Sequence, residues 1–364
     1  MRVFLRADLN VPLKNGNIVQ DFRLQSILPT IKDIQQKGNK VILATHIGRP
    51  QAQTQTNFFD ENLSTKIMVD WFIKHGFKIT YEPDLIKAKL LSKGNVDEIL
   101  LLENMRFFNG EQGTPEERKA FAALLKDLAD FYVNDAFALF HRNDCSVTKL
   151  PQLFDPKNRS YGLLFKKEVE QLTKLKENVA QPFVLVVGGK KIKSKIPMLQ
   201  NFLTTKAKPA AILIGGAIAY TFLHAQEIDV GSSPVEQKYI GLAKTLLEQA
   251  EKAGVKVLLP EDHVVINGTY GDIGPKTIKR FCDTIKTAKT IFINGTMGWY
   301  EKEGMQKGTK KMLACIVQNK DAYKVAGGGD CIAAIHLFNL KQSFDFLSTG
   351  GGATLHFLGK NTGF

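Results

Sequence analysis

Short apolar runs and longer amphipathic runs alternate from one end of the chain to the other. In the first half, Val3–Asp8, Lys40–Thr45, Lys78–Tyr81, Glu98–Leu102 and Phe131–Asn134 read as strands. Between them, Arg23–Gln36, Thr65–His75 and Pro115–Leu128 place apolar residues three and four positions apart, as helices with one buried face do. The second half repeats the scheme. Its strands are Phe183–Val187, Ala211–Ile214, Lys256–Leu259, Thr290–Ile293 and Lys324–Ala326, with a short sixth over Phe344–Leu347. Its helices fit Ser194–Leu203, Val235–Lys252, Pro275–Thr287, Lys307–Asn319 and Cys331–Phe338. The stretch Pro209–Leu223 is the longest apolar one, but glycines and polar residues interrupt it. It reads as a buried strand running into a helix rather than a bilayer span.

Strands alternating with helices argue for the α/β class, and 364 residues suit two cores better than one. The expectation is two Rossmann-like domains with parallel sheets flanked by helices, joined by an interdomain helix. Phe165–Val179, charged and helical in spacing, is the candidate connector. The expected divisions are residues 1–162, a helix over 163–180, a second domain over 181–350, and a C-terminal segment over 351–364 that packs back on the first domain.

Four cysteines without a CxxC pair or zinc-like His spacing favour a reducing compartment, and the N-terminus has no signal-peptide pattern. A cytoplasmic protein with no membrane partner is the resulting expectation. The formal charge of +13 comes from scattered lysines, so a lysine-rich surface is its simplest meaning, ahead of a nucleic-acid partner.

Ligands of such sheets bind beyond the carboxyl ends of the strands. In the first half those positions collect Asp8, Asn10 and Arg23, then His46 and Arg49, then Arg106, then His141 and Arg142. Four arginines at one sheet edge suit a small, multiply charged anion. In the second half the same positions collect glycines: Gly188–Gly189, Gly215–Gly216, Gly295, Gly327–Gly328–Gly329 and Gly350–Gly351–Gly352. Close backbone approach and free N–H groups at successive strand–helix junctions make a bed for a nucleotide polyphosphate. Neither a Walker A loop nor GxGxxG occurs, which excludes those two routes and the dehydrogenase class.

The stretches RADLNVPL, THIGRP, LLENMRF, YVNDAF, VVGGKK, LIGGAIAYTFL, DIGPKT, NGTMGWYE, GGGD and STGGGATLHFL, in that order, resemble the motifs of the phosphoglycerate kinase family. They run from Arg6 to Leu358. The resemblance implies reversible phosphoryl transfer from 1,3-bisphosphoglycerate to ADP, with hinge closure between two domains. It assigns Asp8, Asn10, Arg23, His46, Arg49, Arg106 and Arg142 to the 3-phosphoglycerate end, with Arg23 reaching the phosphoryl group in flight. It assigns Gly189, Lys191, Lys195, Gly215, Gly216, Asn294, Glu301, Gly327, Gly328, Gly329, Asp330 and Cys331 to the nucleotide. Glu301 falls to the ribose and Asp330 to Mg²⁺, while Lys191, Gly350 and Gly351 join Arg23 as catalytic. The small-molecule substrates are the implied partners, with no obligate nucleic acid and a monomeric chain. The alternative reading is a low-activity homologue kept for anion or nucleic-acid binding. Departures from the family pattern are two extra lysines, Lys190 and Lys193, with Ser194 for an aspartate, Cys331 for a threonine, Thr296 for a proline, and a shortened loop between Val265 and Asp272. If one helix covers Lys191 and Lys195, four apart, both project from one face.

Overall fold

The computed structural model describes residues 1–50, 60–266 and 268–360, so the last four positions of the expected C-terminal segment lie outside the described residues. The chain divides into two compact units, Met1–Glu168 and Val169–Phe364. The division falls inside one continuous helix, Leu163–Glu177.

Six parallel strands form the sheet of the first unit: β1 (Arg2–Arg6), β2 (Lys40–Ala44), β3 (Lys78–Glu82), β4 (Glu98–Leu102), β5 (Phe131–Asn134) and β6 (Arg159–Tyr161). Their spatial order is β3-β4-β2-β1-β5-β6. The central strands are buried on both faces, which is why they read as unbroken apolar runs. Alternate residues serve opposite cores. Val3, Leu5, Val41 and Leu43 meet Leu24, Ile27, Ile31 and Ile34 of the helix Phe22–Gln36. Phe4, Ile42 and Ala44 face the other way, onto Phe121, Ala122 and Leu125 of the helix Pro115–Lys126. That second helix begins with a full capping box, Thr114 with Glu117, and has Pro115 in its first turn. Strand β6 escapes the sequence pattern because all three of its residues are exposed, leaving no apolar signal at the sheet edge.

The sheet of the second unit contains β7 (Phe183–Val187), β8 (Ala211–Ile214), β9 (Lys256–Leu258), β10 (Thr290–Asn294), β11 (Tyr323–Gly327) and β12 (Phe346–Leu347), all parallel. Spatial order is β9-β8-β7-β10-β11-β12, so the chain winds outward in both directions from the β7/β10 pair. The crevice outside the carboxyl ends at such a reversal is where doubly wound folds hold ligands. The helix Gly352–Leu358 packs on the helix Ile196–Thr204 of the same unit, and Asn201 Nδ2 donates to the Leu358 carbonyl at 2.6 Å.

Three features differ from the sequence reading. The shortened loop is a two-stranded antiparallel hairpin, His263–Ile266 with Thr269–Ile273. The segment after Gly189 does not start a helix at Lys191: a 3₁₀ turn spans Ile192–Ser194 and the α-helix begins at Ile196. Finally, Cys282 and Cys315 form a disulfide between the neighbouring helices Pro275–Lys286 and Lys307–Gln318, whereas the reducing-compartment reading implied four thiols. They stand 33 positions apart in sequence, and no spacing rule could have paired them. Among the described residues, no helix is long and apolar enough to cross a membrane.

Candidate functional site

At the carboxyl end of the first sheet, β1 runs into Asp8 and Asn10, and β2 runs into His46 and Arg49. The loops are knotted together by side chains that grip backbone. Thr45 Oγ1 accepts from Leu9 N at 2.9 Å, and Asn10 Oδ1 accepts from Gly48 N at 2.8 Å. Gly48 has φ of +63°, and a Cβ there would lie 2.7 Å from Leu63 Cδ2. Asn104, just past β4, donates to the carbonyls of Ile47 at 2.8 Å and Leu63 at 2.9 Å and accepts from Arg106 N at 3.1 Å. Arg106 Nη1 donates to the Gly48 carbonyl.

The guanidiniums converge around this frame. Arg23, on the first turn of its helix, donates through Nη1 to Asp8 Oδ2, and His46 Nε2 lies 3.9 Å from Asp8 Oδ1. Burial pushes the His46 imidazole well below the usual histidine range, and Arg6, Arg106, Arg23 and Arg142 push it further. One buried ring thus feels four positive charges. Arg106 is lowered to about 10 by burial first, with Asp144 opposing and Arg142, Arg6 and Arg49 adding like-charge repulsion. Arg23 is lowered to about 10 by burial, opposed by Glu168. Arg106 and Arg23 both remain cationic at neutral pH. Among the described residues, Nε and Nη2 of Arg106, Nε of Arg142 and Nδ1 of His46 are buried without a hydrogen-bond partner. Such donors are costly unless an acceptor meets them, and an oxyanion is the acceptor this charge selects.

The expected residues of this half therefore come together. Sequence reasoning missed Arg6, which is fully buried and tied to Ser146 Oγ at 2.6 Å and Glu111 at 3.4 Å. Only its residue type, a cation at the end of an apolar strand, hinted at it.

In the second unit, the turns after β7, β8 and β10 press on one another through backbone. Gly188 N donates to the Asn294 carbonyl at 2.9 Å, Gly189 N to Thr296 at 3.0 Å and Gly216 N to Met297 at 3.0 Å. Gly189, Gly216 and Gly295 have φ of +95°, +63° and +99°. A Cβ on Gly216 would stand 2.6 Å from Gly189 N and 2.7 Å from the Thr296 carbonyl. Asn294 is buried, and its Nδ2 has no partner among the described residues.

Above this floor opens a cavity of about 530 Å³. Gly189, Gly216, Glu301 and Asp330 of the expected set line it, together with Lys190, Tyr220, Tyr270, Trp299 and Lys302. Asp330 occupies the first turn of the helix Gly329–Leu337. Thr309 Oγ1 accepts from Met297 N at 3.0 Å and Gly298 N at 3.3 Å, which fixes the loop carrying Trp299 and Glu301. Lys195 lies beneath the rim: its ammonium sits 3.6 Å from the Cβ position of Gly189, with its pKa lowered by burial and partly restored by Asp330 and Glu236. Lys191 is exposed, on extended backbone, so the two lysines do not share a helix face.

The Cys331 thiol is buried, faces the Ile293 carbonyl and is pushed up to about 12 by burial. The hairpin residues Ile266, Thr269 and Tyr270 in the cavity wall were not foreseen. The run VVINGTY carried the signal, since Asn-Gly between two β-branched runs is a hairpin turn. Among the described residues, no group of three or more His, Cys, Asp or Glu could hold a metal ion unaided. A single carboxylate such as Asp330 fits Mg²⁺ that arrives on nucleotide phosphates, because that ion keeps most of its shell from water and phosphate.

A guanidinium cluster at the carboxyl edge of one parallel sheet and a glycine floor at that of another define an α/β protein built to hold anionic ligands. The phosphoglycerate kinase family model matches residues 1–360, and the chain belongs to that family. The phosphoglycerate kinase of Koribacter versatilis is 38% identical, with 98% of this chain and 93% of that one covered. That of Dictyoglomus turgidum is 37% identical over 98% and 92%. Among solved structures, phosphoglycerate kinase from Coxiella burnetii matches with a TM-score of 0.80 at 32% identity, and that from Pyrococcus horikoshii with 0.82 at 28%, each covering 98% of this chain and 93% of the other.

Proposed function

We propose that this chain transfers a phosphoryl group reversibly from 1,3-bisphosphoglycerate to ADP, giving 3-phosphoglycerate and ATP. The observation that carries the reading is the set of buried, unpartnered donors on Arg106, Arg142 and His46, in a family-wide match to phosphoglycerate kinases. Asp8, Asn10, Arg23, His46, Arg49, Arg106 and Arg142 hold the triose end. His46, kept neutral, donates without adding charge. Asn294 Nδ2 and the turn Gly327–Gly329 offer donors to the nucleotide phosphates, assisted by Lys191, Lys195 and Cys331 at the start of the following helix, while Gly189, Gly215 and Gly216, whose N–H groups already bond the Thr296, Val187 and Met297 carbonyls, let the phosphates approach the backbone closely. Glu301 takes the ribose hydroxyls. Mg²⁺ enters with the nucleotide, and Asp330 holds it.

Phosphoryl transfer asks little covalent chemistry of a protein; it needs in-line placement and positive charge on the equatorial oxygens. Arg23 supplies that charge from the triose side, held at one end by Asp8. Lys191 and the backbone of Gly350 and Gly351 supply it from the nucleotide side. Water competes as acceptor, so the two ligands must meet in a closed, dry site. Hinge closure is therefore part of the proposal.

The test is a coupled assay with 3-phosphoglycerate and Mg-ATP. Turnover that falls by roughly 10³ or more in Arg23→Ala, with KM little changed, is the expected outcome. Absent turnover in the unaltered protein would defeat the reading.

A further inference from the structure

Lys190 is one of the extra lysines in the segment after β7, and its surroundings give it a use. It follows Gly189 on the cavity floor, yet its ammonium lies 5.6 Å from the centroid of the Trp299 indole, at the cavity wall. Lys302 approaches the same ring at 5.1 Å. Trp299 itself is half exposed, at 50%. Neither lysine has a carboxylate partner among the described residues, although Glu301 and Asp330 line the same cavity. A cation over an exposed aromatic face is weakly held, and a phosphate oxygen is a much stronger partner for an ammonium. The side chain is rooted beside the glycine turns of the cavity floor, and its flexible four-carbon stem lets the head move between ring and floor.

We infer that Lys190 is a further nucleotide-binding residue, one that rests on Trp299 when the cavity is free and moves to the polyphosphate when a nucleoside di- or triphosphate binds. The inference rests on the nucleotide reading of this cavity and adds a determinant of specificity to it. Lys190 makes affinity rise with phosphate count, while a nucleoside without phosphate leaves the ammonium on the indole. Trp299 reports the exchange, since its emission responds to the loss of the overlying charge.

Adenosine, AMP, ADP and ATP are titrated by calorimetry and by tryptophan emission, with Trp299→Phe identifying the signal of that ring. Lys190→Met is expected to weaken ADP and ATP about five- to tenfold, leave adenosine within twofold, and abolish the ADP-specific part of the Trp299 signal. Lys190→Arg is expected to restore most of the ADP affinity. In the assay, the KM for nucleotide rises in Lys190→Met while kcat changes less than twofold. If unaltered protein binds ADP but Lys190→Met keeps the same ADP-to-adenosine affinity ratio, the inference falls and the nucleotide reading stands. If unaltered protein binds no ADP, both fall.

Discussion

Asp135 shows how the first unit uses a buried carboxyl as a fastening rather than as a catalyst. It is fully buried past β5, accepts from Thr30 Oγ1 at 2.5 Å and Phe165 N at 2.7 Å, and burial raises it to about 6. An unfolded aspartate titrates near ~3.9. The folded state therefore binds the extra proton between roughly pH 4 and 6, and its stabilising contribution is lost as pH rises through that window. Asp135→Asn should flatten the stability–pH curve there by about 2–3 kcal/mol relative to the unaltered protein, as measured by urea unfolding at pH 4.5 and 7. An unchanged slope would mean that the carboxyl ionises freely in the fold. At this scale the sequence was informative about residue type and position, because strand ends concentrate ligands. It was silent about direction. Nothing in a one-dimensional string distinguishes the exposed Lys191 from the half-buried Lys195, or shows that the Cys331 thiol turns into the core.

Elements packed edge to edge set the shape of the nucleotide-side cavity. Gly216→Ala would need a left-handed backbone and would push a methyl into Gly189 and Thr296, neither of which is a flexible side-chain tip. A loss of roughly 2–4 kcal/mol and a fall in melting temperature of about 5–15 °C are expected, with weaker ADP binding. Calorimetric scans of the variant decide it. The disulfide makes a second element-scale prediction. It ties the helix Lys307–Gln318, whose Thr309 and Gly308 hold the Trp299 loop and Asp272, to the helix Pro275–Lys286. On the chain-entropy model, closing a loop of this length contributes about 3–4 kcal/mol. A thiol reductant should lower the melting temperature of the unaltered protein. Cys282→Ser with Cys315→Ser should melt at that lower value and ignore the reductant. Strands were legible because central parallel strands are apolar throughout. The edge strand β6 and the pairing of cysteines 33 residues apart were not, since neither leaves a local pattern.

Across the whole chain, the division into two units runs through a helix rather than a linker. The first turn of Leu163–Glu177 is fastened to the first unit, where Leu163 N donates to Thr30 Oγ1 at 3.2 Å and Phe165 N to Asp135. Further along, Leu172 and Leu175 are buried, and Gln171 accepts from the Tyr323 hydroxyl of the second unit. A fragment ending at residue 162 should therefore melt well below one ending at residue 178, because it removes the Phe165 N–H from Asp135 and the Leu163 N–H from Thr30; parallel circular-dichroism melts compare them. The same seam limits how the gene can be split. Each half, made alone, wants its own copy of the helix, so a pair of fragments that complement one another should overlap across it rather than abut. A transposon or a fusion partner landing in those fifteen positions would cost both halves at once.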